Sequence, residues 1–234
     1  MLIYVCLSSH GFGHAARQAT VLCALHRLKP SWRLVVSSNV SADFLKLVCA
    51  AVPVEQRFIG WDVGMIQADA LGVDQEKTLA SLKVLETDLP QRIDQEVAWI
   101  GQQNTPVLVV GDIPPAAAVL SERLGAPLVW MGNFGWDDIY TPLGSAFEGW
   151  VRRARDCYQR GTLLLRCPFS LAMNWHLREI GLTLVAAEPR SIPAAFEAEL
   201  QKDASPNVLV GFGGLGHRVR LRHDERQRLA RDPA

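Results

Sequence analysis

Two patterns of hydrophobic residues alternate along the chain. Continuous apolar runs predict strands buried on both faces, and between them apolar residues recur every three to four positions, which is typical of amphipathic helices. The predicted strands are residues 2–7, 33–37, 52–58, 106–110, 126–131 and 162–166. The predicted helices are residues 15–28, 42–50, 75–101 and 115–124, with a further helix inside 139–160. Pro90 lies within the long third helix and predicts a kink or a split there.

The order of these elements predicts an α/β fold with a doubly wound, Rossmann-like parallel sheet and right-handed crossovers. Such sheets bind ligands outside the carboxyl ends of their strands. Functional residues are therefore expected in the segments that follow strands, which are residues 8–17, 60–74, 111–115 and 132–138.

Composition narrows the function classes. The 234 residues include 24 Lys and Arg against 24 Asp and Glu, so no net charge draws the chain to nucleic acid or to an anionic membrane. The apolar runs are too short for a signal sequence or a transmembrane helix, which predicts a soluble, cytoplasmic protein. The five cysteines are scattered without C-x-x-C spacing, so they are expected to be buried free thiols, and no metal site is predicted.

The composition changes towards the carboxyl terminus. Residues 1–185 are expected to form the Rossmann-like domain, and residues 186–206 read as a linker containing Pro189, Pro193 and Pro206. Residues 207–216 again resemble a strand and a glycine turn, so 207–234 are expected to be the truncated start of a second domain. Its arginine-rich end is more typical of a solvated tail than of a nucleic-acid arm, because acidic residues are interspersed and aromatic residues are absent.

A glycine-rich loop follows the first predicted strand and opens the first helix. It holds His10, Gly11, Gly13, His14 and Arg17. Backbone N–H groups and the positive end of a helix favour an anion at such a place.

One interpretation of this loop is a dinucleotide fingerprint, because Gly11, Gly13 and Ala16 match the G-x-G-x-x-A pattern. That fingerprint requires an acidic residue at the end of the second strand, where this chain has Ser-Ser-Asn at positions 37–39. The nearest acid, Asp43, falls inside the next predicted helix. An NAD(P)-binding oxidoreductase is therefore disfavoured, and no cofactor is predicted.

A second interpretation places the chemistry on His14. A histidine in the first turn of a helix is kept neutral by the positive end of the helix dipole and can accept a proton at pH 7, which suits a general base. The alternative is structural, since His10 and His14 could simply cap and line the turn.

Three segments carry a family resemblance: HGFGHAAR at 10–17, QADALGVD at 67–74 and NFGWDDIY at 133–140. With them the chain resembles the GT-B glycosyltransferases, in particular the glycosyltransferase-like N-terminal region of plant L-arabinokinases and related bacterial glycosyltransferases. The resemblance runs from Met1 to about Gly216. It implies the N-terminal, acceptor-binding half of a GT-B fold, with a truncated second domain that would otherwise bind the nucleotide-sugar.

The resemblance also implies a catalytic pair. Many GT-B enzymes that act on small acceptors have Gly-x-Gly-His after the first strand, and an Asp after a middle strand orients that histidine. His14 and Asp112 stand at the matching places, as base and orienting carboxylate. Asp112 could also be the N-cap of the following helix, and the two roles are compatible.

Further candidates come from the segments that follow strands. The residues expected to contact substrate are His10, Gly11, Gly13, Arg17, Asp69, Asn133, Trp136 and Asp137. Several have alternative roles: Arg17 could contact an acceptor anion or pair with Asp112 or Asp138, and one of Asp69 and Asp74 is expected to cap the long helix. Trp136 could stack on a sugar, whereas Trp61 is expected to cover the rim of the core.

The favoured function is therefore the acceptor-side domain of a nucleotide-sugar-dependent glycosyltransferase, transferring a glycosyl group to a hydroxyl acceptor. The expected partner is a small-molecule or sugar acceptor, and a nucleotide-sugar is expected to bind only if a second domain is supplied. The alternative is a catalytically silent domain that binds a ligand or a partner.

Overall fold

A computed structural model describes residues 1–50, 52–69, 72–189 and 191–202 of the chain. Seven strands, seven α-helices and two short 3₁₀ helices occur in that part of the chain. The strands are β1 (Leu2–Leu7), β2 (Arg33–Ser37), β3 (Val54–Arg57), β4 (Val107–Asp112), β5 (Leu128–Gly132), β6 (Leu163–Arg166) and β7 (Glu179–Gly181). The helices are α1 (Gly13–Leu28), α2 (Ala42–Val48), α3 (Gln75–Gly101), α4 (Ala116–Leu124), α5 (Trp136–Tyr140), α6 (Glu148–Tyr158) and α7 (Ala194–Leu200).

All seven strands form one parallel sheet in the order β3-β2-β1-β4-β5-β6-β7. The strand order reverses between β1 and β4, whose carboxyl ends meet where Leu7 pairs with Asp112. This is the topological switch point at which open α/β sheets bind their ligands. The predicted α/β fold with a doubly wound parallel sheet is confirmed.

Alternate side chains of β1 enter two separate cores. Leu2, Tyr4 and Cys6 pack with α3, α4 and α6 on one face, while residues 3, 5 and 7 pack with α1 and α2 on the other. All six residues of β1 are buried, as the continuous apolar run predicted for a strand covered on both faces. Packing on both faces and pairing with β4 thus fix where β1 ends in the fold.

Most predicted elements occur with small shifts at their ends. Helix α3 continues through Pro90 without interruption, so the predicted split is wrong. Three elements were not predicted: α5, β7 and α7, the last of which occupies part of the predicted linker at 186–206. The strand and tail predicted at 207–234 lie outside the described residues, so the division at 185 and 206 stays a prediction.

The length and composition of the described helices bear on whether they could cross a membrane. None of those helices combines the length and the apolar composition that crossing a bilayer requires.

Candidate functional site

The candidate site lies at the carboxyl edge of the sheet, beside the switch point. The loop after β1 leads into α1, and Gly11 in this loop has a φ of 85°, a conformation that favours glycine. Helix α1 begins at Gly13, and no side chain caps its first turn. Loop and helix together bring His14 beneath the end of β4.

His14 and Asp112 form a buried pair. The Nδ1 atom of His14 lies 2.8 Å from Oδ1 of Asp112, and the two residues are 7% and 0% exposed. The predicted proximity of the two side chains is confirmed. A carboxylate at Nδ1 selects the tautomer with the proton on that nitrogen and leaves Nε2, on the opposite side of the ring, as the basic atom.

Asp112 accepts hydrogen bonds from two further residues of α1. Arg17 donates from Nε and Nη2 over 3.1 and 2.6 Å, and Gln18 donates from Nε2 over 2.8 Å. Burial alone would raise the pKa of Asp112, but the neighbouring His14 and Arg17 hold that pKa below its ordinary value. The carboxylate therefore stays ionised at neutral pH, as a partner of an imidazolium must.

Arg17 connects this pair to the next strand. Its Nη1 donates to Oδ1 of Asn133, which follows β5, over 3.0 Å. Of the alternatives for Arg17, the structure therefore shows the pairing with Asp112. The predicted substrate residues Arg17 and Asn133 stand next to the histidine, and the guanidinium is largely occupied by protein acceptors.

The second histidine belongs to a different cluster at the same edge. The backbone N–H of His10 donates to Oγ of Ser8 over 3.2 Å, and its ring meets the edge of Trp136 with centroids 5.5 Å apart. Gly64, with a φ of 70°, lies so close to the His10 ring that a Cβ there would overlap it. Burial lowers the pKa of His10, and the nearby Asp62 partly opposes this.

Asp62 is a residue that sequence reasoning missed. Its Oδ2 accepts from Nε1 of Trp136 over 2.8 Å, and its carboxylate also bonds Ser8. Burial raises the pKa of Asp62 in spite of these donors and the two histidines. Asp62 follows β3 at the same edge as His14, and that position was the available signal.

The remaining predicted residues have other positions. Asp69 is exposed and accepts from the N–H of Gly72, while Asp74 accepts from the N–H of Lys77 and caps α3. Asp137 is 1% exposed and contacts Trp175 instead of the histidines.

The two tryptophans also have defined surroundings. Trp136 is 2% exposed, with its face stacked on Tyr140, so its ring forms a wall of the site and does not stand open to a sugar. Trp61 is 2% exposed, so it lies within the core and not at its rim, and its Nε1 donates to Oγ of Ser37.

Among the described residues, no group of three or more His, Cys, Asp and Glu side chains could hold a metal ion. The arrangement can instead accept a proton at His14 and stabilise the resulting imidazolium through Asp112.

Comparisons with known proteins identify a similar sequence and similar folds. No family model matches the chain. The Arabidopsis thaliana L-arabinokinase is 29% identical over 224 residues, an alignment covering 89% of this chain and 20% of that protein. The Arabidopsis thaliana UGT89C1 structure complexed with UDP gives a TM-score of 0.56 at 14% identity, covering 98% of this chain and 62% of that one.

A second solved structure has a similar fold. Phytolacca americana UGT2, complexed with UDP-2fluoro-glucose and pterostilbene, gives a TM-score of 0.55 at 9% identity over 87% of this chain and 57% of that one. The chain has the fold of the GT-B glycosyltransferases. It spans less than two thirds of each of these structures, and a fifth of the length of the L-arabinokinase.

Proposed function

We propose that the chain is the acceptor-side domain of a nucleotide-sugar-dependent glycosyltransferase, with His14 as general base. The observation that carries this proposal is the contact of 2.8 Å between Nδ1 of His14 and a fully buried Asp112 at the switch point of the sheet. A buried carboxylate behind a histidine is the arrangement that acyl-transfer enzymes also use to orient a base.

The proposed chemistry uses the free nitrogen of His14. Nε2 takes the proton of an acceptor hydroxyl while the oxygen forms a bond to the anomeric carbon of the sugar, and the bond from that carbon to the nucleoside diphosphate breaks. Asp112 stabilises the imidazolium that results, and Arg17 keeps Asp112 ionised by neutralising its charge. The proton then leaves His14 to solvent.

The acceptor is proposed to approach across the loop formed by His10, Gly11 and Gly13, because the open end of α1 faces the same edge. The donor is proposed to be a nucleotide-sugar, since the solved structures with this fold are complexed with UDP or a UDP-sugar. In those proteins the matching region is about three fifths of the chain, so donor binding is proposed to need a second domain. The cytoplasmic location stays a prediction of the sequence.

Transfer can be tested by measuring UDP release from UDP-sugars in the presence of hydroxyl acceptors. The chain is assayed alone and with the UDP-binding half of a structural neighbour supplied in trans. His14→Ala is expected to lower the rate at least 100-fold, which is typical of a lost general base. The control His26→Ala, on the same helix but away from Asp112, should keep the rate of the unmodified chain.

Two results would contradict the proposal. Full activity in His14→Ala with loss in His10→Ala would move the base to the other histidine. No acceptor-dependent UDP release in any arrangement would favour the silent, ligand-binding alternative.

A further inference from the structure

An apolar cavity lies on the face of the sheet that α3, α4 and α6 cover. Its volume is about 360 Å³, which is within the range of small-molecule sites. Buried side chains from each of the three helices form its floor, namely Leu82, Ile93, Ala116 and Ala154.

The mouth of the cavity lies between α3 and α6. Glu86 of α3 and Arg153 of α6 line it and form an ion pair over 3.5 Å. Both side chains are about half exposed, so their attraction is weak and the pair can open. A ligand that enters between the two helices would therefore break only this weak ion pair.

The inner end of the cavity is aromatic and carries one carboxylate. Trp61, Trp136 and Asp62 line this end, and Trp150 lines the side. Flat rings in the walls favour a flat ligand, because aromatic pairs pack edge to face or offset. The indole N–H groups of Trp61 and Trp136 already donate to Ser37 and Asp62 within the protein.

Asp62 retains capacity to accept hydrogen bonds. A carboxylate has about four lone-pair positions, and Ser8 and Trp136 supply two donors. Because burial raises the pKa of Asp62, a further donor would stabilise its ionised form. A hydroxyl or amine on a ligand is such a donor.

The cavity is separate from the proposed base. His14 and Asp112 do not line it, and Trp136 stands between the cavity and the histidine loop. One edge of Trp136 binds Asp62, and its ring also contacts His10 with centroids 5.5 Å apart. A molecule in the cavity would thus touch Trp136 from one side while His10 touches it from the other.

We propose that this cavity is a second ligand site, which takes a flat apolar molecule bearing a hydroxyl or amine that donates to Asp62. Occupancy moves Trp136 and so changes the surroundings of His10. The site does not depend on glycosyl transfer, because it lies outside the base and its carboxylate.

The probe is 1-naphthol, measured by calorimetric titration against the full chain, with 1-methoxynaphthalene as a ligand of similar shape that lacks the donor. The hydroxyl is expected to give about tenfold tighter binding, as a hydrogen bond to a charged group would. Asp62→Leu should abolish this preference while leaving binding of the methoxy compound.

Two variants that fill the cavity and one control show whether 1-naphthol binds in the cavity. Ala154→Phe and Val119→Phe place a ring in the cavity and should each weaken 1-naphthol binding at least tenfold. Val84→Phe adds the same ring to an exposed position of α3 outside the cavity and should leave binding unchanged. Melting temperatures identify any variant that fails to fold. If one of the two filling variants does not fold, the affinity of the other decides the test.

The outcome separates this site from the histidine cleft. Binding should survive His14→Ala, and the ring resonances of His10 should shift on titration while those of His176 stay in place. Unchanged affinity in both filling variants overturns the site, and so does an equal loss in His14→Ala. A bound ligand that leaves the His10 resonances unmoved overturns the coupling through Trp136.

Discussion

Two carboxylates at one edge of the sheet have opposite electrostatic surroundings. Asp112 is fully buried but meets Arg17, Gln18 and His14, and these partners lower its pKa. Asp62 has two neutral donors as hydrogen-bond partners, and burial raises its pKa. Asp62 contacts Ser8 and Asp112 contacts His14, so two carboxyls beside the same segment after β1 differ in which charge state their surroundings favour.

Replacing Asp112 should destabilise the fold. Asp112→Asn leaves Arg17 in a largely buried position without its counter-charge, and breaking a buried pair in this way costs roughly 3 kcal/mol. Because the pKa of Asp112 is lower in the folded state, its stabilisation is complete above the unfolded value of about 3.9 and is lost as the pH falls through the folded value.

Urea unfolding at pH 7 and pH 3 checks this expectation. The difference between the unmodified chain and Asp112→Asn should be larger at pH 7. The exposed control Asp156→Asn should change the unfolding free energy by less than about 0.5 kcal/mol. An equal loss at both pH values would show that charge is not the cause.

Asp62→Asn should behave in the opposite way. A carboxyl whose pKa is raised by folding stabilises the fold when protonated, and that contribution is lost as the pH rises through the folded value. The amide oxygen can still accept from Trp136. At pH 7 the variant should unfold at an equal or higher urea concentration, and the difference should vanish near pH 3. A lower midpoint at pH 7 would contradict this.

The contact between His14 and Asp112 could be predicted, because the topology of the sheet brings the two side chains together. His14 and Asp112 each follow an apolar run that reads as a parallel strand, and parallel strands end at one edge. Asp62 lies in a segment that was expected to be functional, residues 60–74, but four residues separate it from β3 and nothing in that segment distinguishes it from the other acidic residues. Its partners, Ser8 and Trp136, come from distant loops whose approach depends on packing.

At the scale of elements, β4 and β5 pack closely because Gly111 of β4 has no side chain. A Cβ on Gly111 would overlap the ring of Trp130, which is fully buried in the core. Gly111 directly precedes Asp112 in β4. The close packing of β4 against Trp130 of β5 therefore helps to set the position of the Asp112 side chain.

Gly111→Ala should therefore lower stability by about 1–3 kcal/mol, the usual cost of overfilling a packed core. Gly101→Ala, at the end of α3, places its methyl group where no heavy atom lies within 4 Å. Such a change is expected to be neutral or to stabilise by up to about 1 kcal/mol. Thermal unfolding of the two variants compares them, and equal melting temperatures would show that Trp130 moves aside.

Element prediction succeeded where burial determined the pattern. The ends of β1 and β2 agree with the predicted strands, because both are continuous apolar runs in the middle of the sheet. β7 was missed because its three residues are all exposed and carry no apolar period. α3 tolerates Pro90 against the local rule, since the helix packs on the core on both sides of it.

At the scale of the whole molecule, apolar surface adjoins the site. Phe169 and Leu184 are 91% and 72% exposed, and they line a surface cavity together with Arg17 and Asn133. Exposed apolar patches beyond a few hundred Å² are typical of surfaces that contact another protein.

The isolated chain should therefore self-associate as its concentration rises. The double variant Phe169→Asp with Leu184→Asp should remain monomeric to at least tenfold higher concentration, because two charges would then have to be desolvated on contact. Light scattering after gel filtration measures the mass. Leu28→Asp, at a similarly exposed position on α1, serves as control. If the unsubstituted chain stays monomeric at all concentrations, the predicted self-association is wrong.

The strand order also sets a sequence of events during synthesis. β1, β2 and β3 precede β4 in the sequence, so during synthesis they can pair with one another while the other edge of β1 still lacks its partner. His14 lies 98 residues before Asp112, so the two side chains can meet only after β4 has been made. Until then β1 has an unpaired edge, and such an edge readily pairs with another chain.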